Sequence, residues 1–225
     1  MNLLLTLALT PLAAFALRRP LQRWPWLFYA AATLAVGIGL YALFASHPSA
    51  LLRSYASFIQ RGQVAVALFA LVMYIGVFGE NSRMRGALMP IRAELSLLAS
   101  IFICGHFIPY LLHYLQMAAN LMTLKPGVLA SLLIAVILLV LLAFLALTSL
   151  SGVKRLLSPE WWRRIQLLAY PFFALIYLHL LGSFLPSALK GTPQALLALA
   201  TYTALFAGYL ILRICRYRHH PIRTR

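Results

Sequence analysis

The chain has 225 residues, 63% of them hydrophobic and 10% charged, with a mean hydropathy of +0.90. A water-soluble domain could not cover itself at that composition, so repeated apolar stretches of near membrane-spanning length place the chain in a lipid bilayer. Charge is one-sided: 19 Lys+Arg stand against three acids, Glu80, Glu94 and Glu160. No basic face with interleaved aromatics occurs. Nucleic acid is therefore excluded as a partner, and the cations are assigned to topology and anionic lipid.

Seven apolar segments follow one another, at about 1–17, 25–45, 63–79, 94–116, 128–148, 165–184 and 194–215. Each is predicted to be a helix, because an unpaired backbone group in hydrocarbon costs several kcal/mol. The first carries no positive charge before it, and Arg18, Arg19 and Arg23 come after it. That is the wrong order for a signal peptide, so it reads as a retained span. The first and third segments are short and need flanking residues to reach across. Trp24, Trp26, Trp161 and Trp162 sit beside basic residues, as interfacial anchors do. Pro126-Gly127 and Pro193 mark loop ends, and Pro109 and Pro171 are candidate kink sites.

Loop charges set the orientation. One set of connections holds Arg18, Arg19, Arg23, Arg83, Arg85, Arg92, Lys154, Arg155, Arg163 and Arg164, and the tail adds Arg213, Arg216, Arg218, Arg223 and Arg225. The opposite set holds only Arg53, Arg61, Lys125 and Lys190. The positive-inside rule then places the N-terminus out and the C-terminus in. The expected architecture is all-α: a polytopic membrane bundle of seven transmembrane helices. Residues 1–24 form an extra N-terminal helix and basic loop, 25–215 a six-helix core, and 216–225 a basic cytoplasmic tail.

Two cysteines, Cys104 in mid-span and Cys215 near the end of the last span, lie at different expected depths, so no disulfide is predicted. No C-x-x-C-H occurs, which argues against covalently attached haem. Of six histidines, His47, His219 and His220 fall in a loop or the tail and are expected to be solvated. His106, His113 and His179 lie inside spans. An ionisable residue in the membrane is a functional candidate by default. At 1.5 Å per residue, His106 lies roughly 18 Å above Glu94, and His179 roughly 21 Å above Ile165. Two imidazoles from two spans thus reach similar depth in the outer half of the bilayer. The plain alternative is that each ring bonds a neighbouring carbonyl or hydroxyl. Matched histidines on helices are also how a bundle holds a metal cofactor, and two neutral imidazoles suit the axial positions of a haem iron. Zinc fits less well, as no carboxylate or thiolate stands beside them. Gly105 and Gly182 are small residues near the two rings. His113, about 10 Å further out on the same face as His106, suits a propionate contact or an interfacial polar group better than an alternative ligand.

Two stretches carry a resemblance. "RAELSLLASIFICGH", Arg92 to His106, and "WRRIQLLAYPFFALIYLH", Trp162 to His179, resemble the ferric-reductase-like transmembrane domain family, as does the basic loop "ENSRMRGALMPIRAE". The likeness covers the second to seventh spans and is closer to the haem-binding membrane subunits of the periplasmic methionine-sulfoxide reductase system, the MsrQ (YedZ) group. Two-haem relatives carry a second histidine on each helix, and at those inner positions this chain has Arg92 and Gln166. The resemblance therefore implies one b-type haem held by His106 and His179 near the outer side. A flavin (FMN) is associated with the inner side in the MsrQ group, where Arg92, Arg163 and Arg164 are candidate contacts for a phosphate or a propionate. Positive-inside topology explains those arginines equally well.

No G-x-G-x-x-G follows a strand, and no residue pattern supplies a general base or nucleophile. Thr148, Ser149 and Ser151 have no His or Asp partner in view and suit helix-end capping. The expected function is a membrane electron-transfer subunit of the bacterial inner membrane. A cytosolic flavin reductase, a bound flavin or a quinol would be the donor. A periplasmic partner reductase or ferric ion would be the acceptor. A haem-free scaffold or transporter with structural histidines is the rival reading, and the sparse intramembrane charge gives a transporter few substrate groups.

Overall fold

A computed structural model describes residues 3–117 and 126–219, with backbone alone for Ser151 and His219. Lys125, His220, Arg223 and Arg225 lie outside the described residues. The described residues form helices joined by short turns: α1 (Leu3–Ala16), α2 (Arg18–Arg23), α3 (Pro25–Phe44), α4 (Ala50–Gln60), α5 (Gln63–Ile75), α6 (Arg83–Leu88), a 3-10 turn (Met89–Ile91), α7 (Arg92–Gln116), α8 (Pro126–Ser149), α9 (Ser151–Leu156), α10 (Pro159–Gln166), α11 (Ala169–Leu189) and α12 (Pro193–His219). Six stretches are long and apolar enough to cross a membrane: Pro25–Phe44, Ala50–Ile75, Arg83–Gln116, Pro126–Ser149, Pro159–Leu189 and Pro193–Arg218. The chain is a multi-pass membrane protein. At 14 residues, α1 is about 21 Å long, short of a hydrocarbon core of about 30 Å.

Three boundaries differ from the sequence reading. The third span starts at Ala50, not at 63, because Ser49 Oγ accepts from the Leu52 N–H at 3.3 Å and opens a helix. Arg53, expected in a loop, therefore sits on α4. The same stretch is interrupted at Arg61-Gly62 and ends at Ile75, so residues 76–79 are not helical. The sixth span is broken between α10 and α11, and His179 stands ten residues into α11, about 15 Å along it rather than the 21 Å counted from Ile165. Pro171 falls in the first turn of α11, where no intrahelical N–H is needed. Pro186 is the proline inside that helix. Pro109 lies inside α7 as expected. Pro126 and Pro193 open α8 and α12.

The chain divides into two compact units. One takes Met1–Val72 and Gly86–Thr123, and the other Met73–Arg85 and Leu124–Arg225, as far as each is described. In the first, α3, α4 and α7 pack on one another. Ile59 of α4 is the wedge between the other two. A Cβ at Gly39 on α3 would come within 2.9 Å of its Cγ1, and one at Gly105 on α7 within 2.3 Å of its Cγ2. Leu21, Leu88, Ile91 and Leu95 are fully buried around this unit's apolar centre.

In the second unit, α11 packs on α8 and α12. Phe173 stacks on Phe206 at 4.3 Å and meets Tyr209 edge-on at 5.0 Å. Tyr74 donates to the Leu205 carbonyl at 2.6 Å. Arg216 donates to the carbonyls of Gly76 (2.7 Å) and Phe78, which follow the end of α5. Its other amino group lies 3.9 Å from Glu80. The arginine thereby satisfies carbonyls that a terminating helix leaves open. One face of α8 carries exposed Leu133, Val136, Ile137, Val140, Phe144 and Leu147. Only 6% of this span's most apolar window is buried, the pattern of a lipid-facing helix.

Gly105→Ala should lower stability by about 1–3 kcal/mol through overpacking against Ile59. Gly182→Ala, with nothing within 4 Å of its added Cβ, should change it by less than about 0.5 kcal/mol. Thermal unfolding in detergent compares the two. Arg216→Met removes charged hydrogen bonds worth about 1.5–3 kcal/mol each and should lower the melting temperature by the same assay.

Candidate histidine site and family

His106 lies in mid-α7, where the spacing of buried Leu95, Leu98, Ala99, Gly105 and Pro109 turns one face of the helix inward. Its Nδ1 is 2.7 Å from the backbone carbonyl of Gln60, at the end of α4. A carbonyl only accepts, so Nδ1 carries the proton and donates it. That assignment fixes the tautomer of the neutral ring, and coordination would fall to Nε2. The ring also lies 5.0 Å from that of Tyr110, centroid to centroid. Gly62 covers its root: a Cβ there would stand 3.2 Å from His106 Cβ and Cγ.

His179 lies in α11, half-buried. Its Nδ1 is 3.4 Å from Ser131 Oγ on α8, and its carbonyl accepts from Ser183 Oγ at 2.8 Å. One turn further, Gly182 faces open space, with nothing within 4 Å of an added Cβ. The two glycines thus differ. Gly182 leaves room beside a histidine, whereas Gly105 is filled by Ile59 and offers none.

The remaining candidates have structural surroundings. Arg92 donates from Nε to the Val72 carbonyl at 3.1 Å. Gln166, at the other inner position, donates to Thr148 Oγ1 at 3.4 Å. Arg163 donates to the Pro159 carbonyl at 3.3 Å, and Arg164 lies over the Trp161 ring at 5.5 Å. Both arginines are exposed on α10. His113 is exposed in the last turn of α7, its ring edge-on to Tyr114 at 5.5 Å. His47 is exposed. Thr148 and Ser149 turn their hydroxyls back onto the carbonyls of Phe144 and Leu145, as helix-end residues do. Cys104 and Cys215 are free thiols. Trp24, Trp26 and Trp161 are exposed, and Trp162 donates its indole N–H to the Thr148 carbonyl at 3.2 Å.

The histidines fit a haem by the chemistry of their donors. Among the described residues no three His, Cys, Asp or Glu side chains gather into a metal cage. Haem asks for less, since the porphyrin supplies four nitrogens and the protein only axial ligands. His106 meets that requirement, its far nitrogen anchored to a carbonyl as metal-bound histidines generally are. Sequence reasoning missed Gln60. Its backbone group is the partner, so no side-chain type marks the position.

The family described as "Ferric reductase like transmembrane component" matches residues 61–177. The match includes His106 and stops two residues before His179. A protein of Treponema pallidum (strain Nichols), described as uncharacterized, is 34% identical over 151 residues, 67% of this chain and 42% of that protein. The chain thus matches about two fifths of that relative's length. No solved structure matches. With the family's domain covering more than half of its residues, the chain belongs to the ferric reductase-like transmembrane component family.

Proposed function

We propose that this protein is a b-type haem electron-transfer subunit of a bacterial inner membrane, delivering electrons to an acceptor on the outer side. Family membership and the carbonyl-anchored His106 support this reading, and His106 is the observation that carries it. His106 and His179 are the residues proposed to hold the haem. Bound there, a haem would supply a one-electron couple, its potential set by ligand basicity and burial. The chain's own work is to hold and orient. The Gln60 carbonyl accepts a hydrogen bond from the Nδ1–H of His106, and Ser131 stands beside Nδ1 of His179. The proposed donor is a cytosolic flavin reductase, a quinol, or a flavin near Arg92, Arg163 and Arg164. The proposed acceptor is a partner reductase, as in the MsrQ group, or ferric ion. Residues 25–215 are the proposed haem domain. The proposed topology has seven spans, α1 included, with the N-terminus outside and the C-terminus inside, and the one-sided cations support it.

Protein purified from haem-replete cells and reduced with dithionite should show sharp b-type bands. His106→Ala and His179→Ala should each lower haem retention by at least about tenfold, while His113→Ala should keep the bands. A colourless wild type would favour a haem-free scaffold. For topology, a fluorescent protein fused after residue 225 should glow, and alkaline phosphatase at the same place should be inactive. The reverse pair of results would invert the orientation.

A further inference from the structure

We infer that the break between α4 and α5 is the device that positions His106 as an iron ligand, with the Gln60 carbonyl and Gly62 as its positioning groups. The inference rests on the haem reading above.

In an unbroken helix the Gln60 carbonyl would accept from the N–H of Val64, four residues on. Here the helix stops at Gln60. Gly62 N–H returns to the Ile59 carbonyl at 3.1 Å, Val66 N–H takes the Gly62 carbonyl at 3.1 Å, and Gly62 adopts φ +65°. Glycine holds that conformation without strain, and among side-chain-bearing residues Asn tolerates it best. The Gln60 carbonyl, released from the ladder, accepts from His106 Nδ1 instead. Irregular backbone within a membrane span is tolerated where protein satisfies its polar groups. This break is satisfied by the candidate ligand itself.

Packing holds the carbonyl in place from both sides. The preceding residue, Ile59, is wedged between Gly39 and Gly105, at the distances given above. On the other side Gly62 lies against the root of His106 and within 3.3 Å, by its added Cβ, of Ile103 Cδ1. The ring is therefore clamped at one nitrogen by a backbone group on a rigid support. A hydrogen bond from Nδ1–H to a carbonyl raises the basicity of Nε2 and sets the plane of the ring. It should favour ferric over ferrous iron.

The test is a redox titration with low-temperature electron paramagnetic resonance on full-length protein carrying its haem. Gly62→Ala strains the left-handed turn and pushes on His106. Gly62→Asn keeps a residue that tolerates this φ while still adding the Cβ. Gly191→Ala is the control, since Gly191 also has positive φ (+77°) but nothing within 4 Å of an added Cβ. The expected result is a shifted midpoint potential and altered low-spin g values, or haem loss, for both Gly62 variants, with Gly191→Ala like wild type. Wild-type potential and g values in a folded Gly62→Ala would overturn the inference and leave the haem reading intact. If neither Gly62 variant accumulates while Gly191→Ala does, the break serves folding and the inference falls. Absence of haem bands in wild type would sink the underlying reading instead.

Discussion

A backbone group in hydrocarbon has no water to turn to, and the structure is organised around that shortage. Helices meet it for most of the chain. Where a helix ends, something else must accept or donate. Arg216 reaches the carbonyls of Gly76 and Phe78 after α5, Arg92 reaches Val72, and His106 reaches Gln60. The first two are cations satisfying carbonyls near the end of α5. The third is an imidazole held at one nitrogen by a backbone group of another helix.

That difference separates His106 from the serine and threonine hydroxyls within the spans. Thr148, Ser149 and Ser183 bond carbonyls within their own helices, a local solution that leaves no directed donor or acceptor. His106 bonds a carbonyl 46 residues away in sequence. Such a bond forms only if α4 and α7 are held in one register, and the Ile59 wedge between two glycines holds them. Packing of small residues against a branched side chain and orientation of a ring are here one arrangement. The glycine beside His106 in sequence serves that packing and leaves no space for a flat ligand. The open space lies instead at Gly182.

Much of this was legible in the residues. Six of the seven apolar segments coincide with stretches long enough to cross a membrane, and the positions of Pro126 and Pro193 named two helix starts. These features are short-range: hydrophobic length and proline geometry act within a few residues. The reading failed where a local signal was overridden. Arg53 looked like a loop residue because it is charged, yet Ser49 caps a helix that carries it. The sixth span looked continuous, yet it breaks after Gln166, at Leu167-Leu168, where Pro171 four residues on can neither donate to the Leu167 carbonyl nor pack against it.

The sequence by itself determined that the chain is helical and crosses a membrane, and it singled out the imidazoles, because hydrocarbon forces each segment to satisfy its own backbone. Tertiary structure alone decided which nitrogen of His106 is engaged. That choice depends on a carbonyl released by a turn in another helix, and no pattern of side chains records where a released carbonyl will point.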